Sequence, residues 1–161
     1  TLRFNTSQSQ LILDLEAGDL YWDTNAATAG TNASGSGNWT AASLWSYDAA
    51  GAFGTSGWVD GAGVTFSAGA TGTGLQAVTV GAAVAVAELT IEEGTVRLQD
   101  GGSGSVASTG SVTVQENAAA IFNVPVSAAA FDVQDGGTLG GSATFGGSVT
   151  IRSGGVLAPG D

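Results

Sequence analysis

The chain has 161 residues, enough for one domain or one elongated module with a real core. It carries 14 acidic residues against three arginines (Arg3, Arg97 and Arg152), with no Lys, His, Cys or Met, for a net charge of −11. That balance excludes nucleic acid, and also anionic lipid or acidic polysaccharide unless a divalent cation bridges them, because such partners demand Lys and Arg.

Charged residues make up only 11% of the chain, less than half the usual share, while Gly reaches 27 residues. Disorder fits poorly, since it combines low hydrophobicity with high charge density, and here the mean hydropathy is +0.24. The longest apolar run, "AVTVGAAVAVA" over 77–87, stops at Glu88, short of the roughly 18 residues of a membrane span. Without Cys there is no disulfide or thiol chemistry. A start at Thr1, with neither Met nor a signal sequence, is expected of a processed chain or a piece of a longer one. Glycosylation sequons begin at Asn5, Asn32 and Asn38, but they arise easily in polar, Gly-rich sequence and carry no weight.

Residues 1–16 open the chain as an N-terminal strand or arm. Leu2 and Phe4 flank Arg3, and Leu11, Leu13 and Leu15 alternate with Ile12 and Asp14, the period of a strand. The link "NTSQSQ" lets this segment pair in its own sheet or add as a strand to a neighbouring molecule.

Residues 17–66 hold all four tryptophans (Trp22, Trp39, Trp45 and Trp58), both tyrosines (Tyr21 and Tyr47) and Phe53. Two readings compete here. A β-helix has an open end that must be covered, and an irregular aromatic segment suits a lid. Aromatic rings also stack on sugars, so the same residues suit a glycan platform, although clustered Trp is more often packing.

Residues 67–161 have a rhythm. Val78-Thr79-Val80, Val84-Ala85-Val86, Leu89-Thr90-Ile91 and Val96-Arg97-Leu98 are three-residue alternations with β-branched bias, which predict very short strands. A longer unit recurs from Leu89 ("LTIEEGTV"), Val112 ("VTVQENAA"), Phe131 ("FDVQDGGT") and Val149 ("VTIRSGGV"), at steps of 23, 19 and 18 residues. Repeats near 20 residues point to a solenoid, in which each unit buries its apolar face against its neighbours. Gly94, Asn117, Gly136 and Gly154 occupy the same place in each copy, where a tight corner needs φ > 0. Ala83, Ala85, Ala119 and Ala143 are expected to line a thin interior. The predicted fold is therefore all-β: a parallel β-helix (β-solenoid) with an irregular, aromatic-rich N-terminal cap.

The closing stretch, "GGTLGGSATFGGSVTIRSGGVLAPGD" (136–161), resembles the Gly-rich β-helical repeats of bacterial autotransporter passenger domains and related surface proteins. The upstream "YWDTNAATAGTNASGSGNWTAASLWS" with "GWVDGAGVTFSAG" resembles the Trp-bearing segment that precedes such repeats. The resemblance spans about residues 20–161. It implies a right-handed helix and an extracellular or cell-surface location, and it implies no single activity, because passengers include adhesins, proteases and passive stalks.

Composition also narrows the chemistry. With no His, Cys or Lys there is no Ser-His-Asp triad, Cys-His pair, Schiff base or conventional zinc site. Carboxylate-only glycoside hydrolysis would need a pair such as Asp132 and Asp135 or Glu92 and Glu93, which read more simply as outward and corner positions of the repeat. Asp60-Gly61, Asp100-Gly101 and Asp135-Gly136 are oxygen-bearing turns open to a structural calcium, yet Asp-Gly is also an ordinary turn dipeptide. The expected protein is not an enzyme and needs no cofactor.

The leading expectation is an extracellular structural rod that stacks head to tail with copies of itself into surface or matrix fibres. Its interface is expected to set Leu2, Phe4, Trp22, Trp39, Trp45 and Trp58 against Val149, Ile151, Val156 and Leu157 of the neighbour's last coil. The alternative is an adhesin or glycan-binding fragment using the four tryptophans.

Overall fold

The computed structural model describes residues 18–160. Among them there is no helix, and fifteen short strands stack into a parallel β-solenoid. Leu2 and Phe4 lie outside the described residues.

Three walls run along the rod. The first stacks β1 (Leu20–Trp22), β4 (Val64–Phe66), β7 (Leu89–Ile91) and β10 (Ser111–Val114), then the C-terminal parts of β12 (Val126–Val133) and β14 (Phe145–Ile151). The second stacks β2 (Gly35–Asn38), β5 (Leu75–Val80), β8 (Thr95–Asp100), β11 (Ala119–Phe122), β13 (Thr138–Gly141) and β15 (Val156–Pro159), all parallel. The third joins β6 (Ala83–Val86), β9 (Ser105–Ser108) and the first residues of β12 and β14. β12 bends from the third wall into the first, and its pairing with β14 shifts register between Ser127 and Ala130. One antiparallel strand departs from this scheme: β3 (Trp45–Ser46) pairs with β1 at the N-terminal end.

The repeat read from the sequence is the register of the first wall. Leu89 pairs with Val112, Val112 with Phe131, and Phe131 with Val149. Leu20, Val64, Leu89, Val112 and Phe131 form one inward column, and Phe66, Ile91, Val114 and Val133 another, each member at most 1% exposed. Burial of each such side chain stabilises the fold by roughly 1.5–3 kcal/mol. Between the two columns, Tyr21, Thr65, Thr90, Thr113, Asp132 and Thr150 point outward, as alternation requires.

The corners follow the same register. Gly94, Asn117, Gly136 and Gly154 take φ of 60°, 61°, 69° and 80°. At Gly94 a Cβ would also run into the carbonyl oxygen of Gly72 on the coil below. Left-handed backbone and close stacking together make glycine the residue of choice there.

The expected alanine lining is corrected. Ala83 and Ala85 are exposed and Ala119 and Ala143 only half-buried, whereas Ala118 and Ala120 are interior. In "AVAV" one phase must face inward, and Val84, stacked on Val106, buries more apolar area than alanine could.

Candidate assembly interface

The two ends of the rod are built differently. At the N-terminal end, Trp22, Trp39 and Trp45 are fully buried beside Phe66, with ring centroids 5.2–5.8 Å apart in edge-on and tilted pairs. Trp58 is half-buried and packs 5.3 Å from both Trp39 and Trp45. Such aromatic pairs add about 0.5–1.5 kcal/mol each beyond their buried area.

Three of the four indole N–H groups are also committed, and only that of Trp39 is buried without a partner. Trp22 Nε1 donates to Gln76 Oε1 (3.1 Å), Trp45 Nε1 to the Trp39 carbonyl (2.7 Å) and Trp58 Nε1 to Asp60 Oδ1 (2.9 Å). The expectation that Trp22, Trp39 and Trp45 face a neighbour or a sugar is therefore corrected, because these three have no exposed surface. The most exposed aromatic rings here are Tyr47 (59% exposed) and Phe53 (71%), while Tyr21 and Trp58 are half-buried.

Gln76 was missed by sequence reasoning. It sits fully buried at the head of an inward column that continues with Val96, Ala120 and Leu139. Its Nε2 donates to the carbonyls of Asn32 and Ala33, which ties the irregular N-terminal loop to the Trp cluster. No local pattern marks a glutamine for such a place.

The C-terminal end has no comparable cover among the described residues. Val149 and Ile151 on β14 continue the two inward columns of the first wall, yet stand 38% and 37% exposed. Leu157 on β15 continues the Gln76 column and is 47% exposed. Val156, equally exposed, extends a different column, with Thr95, Ala119 and Thr138, on the half-buried outer side. Just after β14, Arg152 forms a two-pronged ion pair with Asp132 one coil below (2.8 and 2.7 Å). The guanidinium holds the Asp132 carboxyl below its usual range.

Among the described residues the second wall is unpaired at both ends. β2 and β15 are its edge strands, each hydrogen-bonded on one side only among the described residues, and both run in the same direction.

Two of the three Asp-Gly turns, at Asp60 and Asp100, have a carboxyl oxygen already engaged. Asp100 Oδ1 accepts the amides of Gly102 (2.8 Å) and Gly104 (2.9 Å), which lowers its pKa, and Asp60 Oδ1 accepts the Ala85 amide (3.2 Å) besides Trp58. Among the described residues no group of three or more His, Cys, Asp or Glu is placed to hold a metal. An open cleft of about 220 Å³ beside Val106, Pro125 and Val126 is lined by apolar and hydroxyl groups, with no titratable side chain.

No family model, curated protein or solved structure matches this chain. Its reading therefore stands on its own geometry.

Proposed function

We propose that this chain is a non-enzymatic structural element: a rigid β-solenoid rod that stacks head to tail with copies of itself into extracellular or cell-surface fibres. One observation carries the reading. The inward columns run buried through the rod and end exposed at Val149, Ile151 and Leu157. A parallel edge of this kind is a template for the next strand. The matching open edge, β2, lies at the other end of the second wall with the same polarity. Docking β15 of one copy on β2 of the next continues that sheet without reversing it. The contact is heterologous, so it propagates rather than closes.

The likeness of residues 20–161 to autotransporter passenger repeats supports the surface location. The adhesin reading keeps one supporting observation, the exposed rings of Tyr47 and Phe53.

Sedimentation of the full chain across a dilution series tests the proposal. Mass should rise with concentration, and it should fall toward the monomer in Ile151→Lys or on deletion of residues 1–16. A wild-type chain that sediments as a monomer at every concentration would overturn the reading. Binding of a neutral glycan that quenches tyrosine emission, lost in Phe53→Ala, would favour the adhesin.

A further inference from the structure

Asp23 is the one charged residue with no exposed surface among the described residues. It follows β1 directly, and its amide donates to the Leu44 carbonyl (3.0 Å), which holds it beside β3 and the Trp cluster. Its two carboxyl oxygens have unequal surroundings. Oδ1 accepts the Asn25 amide at 2.9 Å, and the Ala26 amide also stabilises the ionised carboxylate. Oδ2 is buried with no hydrogen-bond partner. Two residues on, Asn25 Oδ1 is likewise buried and unpartnered. The chain between them and Thr31 turns back through Ala26 at φ 62°, and the Thr31 hydroxyl accepts the Thr24 amide (3.0 Å).

A carboxylate sealed from water is unfavourable unless something compensates it. Burial raises the Asp23 pKa, and no Arg is among the charges acting on it. Yet two backbone amides favour its ionised form, and the Asn25 amide is bound at Oδ1 while Oδ2 has no hydrogen-bond partner. Two acceptor oxygens without donors, one of them on a carboxylate, ask for a positive partner rather than another acceptor. Hard cations of the calcium class take carboxylate, amide and backbone carbonyl oxygens together.

We propose that Asp23 Oδ2 and Asn25 Oδ1 are the side-chain ligands of a calcium-class cation site, completed by carbonyls of the 23–31 loop. This site is separate from the Asp-Gly turns, of which Asp60 and Asp100 already use Oδ1 to accept backbone amides. A single carboxylate places it in the weak class, with dissociation constants on the order of 10⁻⁴–10⁻³ M typical of extracellular modules. A cation there would brace the loop that leads into β2, and it would do so independently of whether the rods stack.

Terbium luminescence in the full chain tests it, because Trp22 is the neighbouring residue and Trp45 lies 5.2 Å from Trp22. Excitation of tryptophan should give terbium emission that millimolar calcium displaces. Asp23→Asn, which keeps the acceptor for the Asn25 amide but removes the charge, should weaken terbium binding at least tenfold. Asn25→Ala should weaken it less, and Asp100→Asn should leave it unchanged. Calcium should raise the thermal midpoint of the wild type and not of Asp23→Asn. Absence of sensitised emission from folded protein would overturn the site. So would equal emission, or an equal calcium shift, in wild type and Asp23→Asn. Should Asp23→Asn fail to fold, terbium binding unchanged in Asn25→Ala is the overturning result.

Discussion

The N-terminal and C-terminal ends of this rod meet the same physical problem with opposite outcomes. A solenoid leaves an apolar interior and an unpaired backbone edge at each terminus. At the N-terminal end, β3 turns antiparallel against β1, and three fully buried tryptophans with Phe66 fill the interior. At the C-terminal end, Val149, Ile151 and Leu157 stand in columns whose earlier members are buried, and nothing among the described residues covers them. The difference teaches that exposure here is a property of the position in the stack. Identical chemistry is core in one coil and surface in the last.

Substitutions along one column break or sharpen that comparison. The largest effect is expected inside. Phe131→Ala should cost about 3–5 kcal/mol and Leu139→Ala about 2–5 kcal/mol in urea unfolding, from lost transfer energy plus the cavity. The homologous change on the last coil, Leu157→Ala, should cost the isolated subunit under about 1 kcal/mol. A Leu157→Ala loss as large as that of Leu139→Ala would mean that the last coil is covered in the monomer.

Corner substitutions come next. Gly94→Ala must place a Cβ at φ 60° against the Gly72 carbonyl, for a loss of about 1–2 kcal/mol or more. Asn117→Gly, at φ 61°, should stay within a few tenths of a kcal/mol. Equal losses at the two sites would argue against a shared corner conformation.

Two smaller effects concern charge. At −11 per chain, copies repel one another, so stacking should strengthen as salt is raised from about 0.01 to 0.15 M and the screening length falls from about 30 to 8 Å. Light scattering reads this directly, and dissociation on adding salt would mean that ion pairs hold the joint instead. The Arg152–Asp132 pair is exposed, and its contribution to the fold is small. Because the folded Asp132 pKa is lowered, its share of stability is present above the unfolded value of about 3.9 and is lost as pH falls through the folded value. Asp132→Asn should therefore flatten the stability profile in that acid window, lying slightly below the wild type near neutrality and meeting it once Asp132 is protonated.

Much of the fold was legible in the sequence, because a solenoid writes its register as a period. Leu89, Val112, Phe131 and Val149 could be aligned by eye, and they are the residues that pair. The four corner positions were legible for the same reason, since each needs a residue that tolerates positive φ. The phase of "AVAV" was not, because local alternation fits either face until Val84 is set on Val106. Nor was the burial of the tryptophans. Trp22 is sealed by contacts with Phe66 and Gln76, 44 and 54 residues away, and no local window contains them. Gln76 was invisible to pattern reasoning, because a polar residue in an inward column makes sense only once its three partners are known.

Electron microscopy of the full chain across a dilution series tests the central claim most directly. The account predicts filaments that lengthen with concentration, with an axial repeat on the order of 30 Å from six first-wall rungs at about 4.8 Å each. Dispersed single rods at every concentration would contradict it.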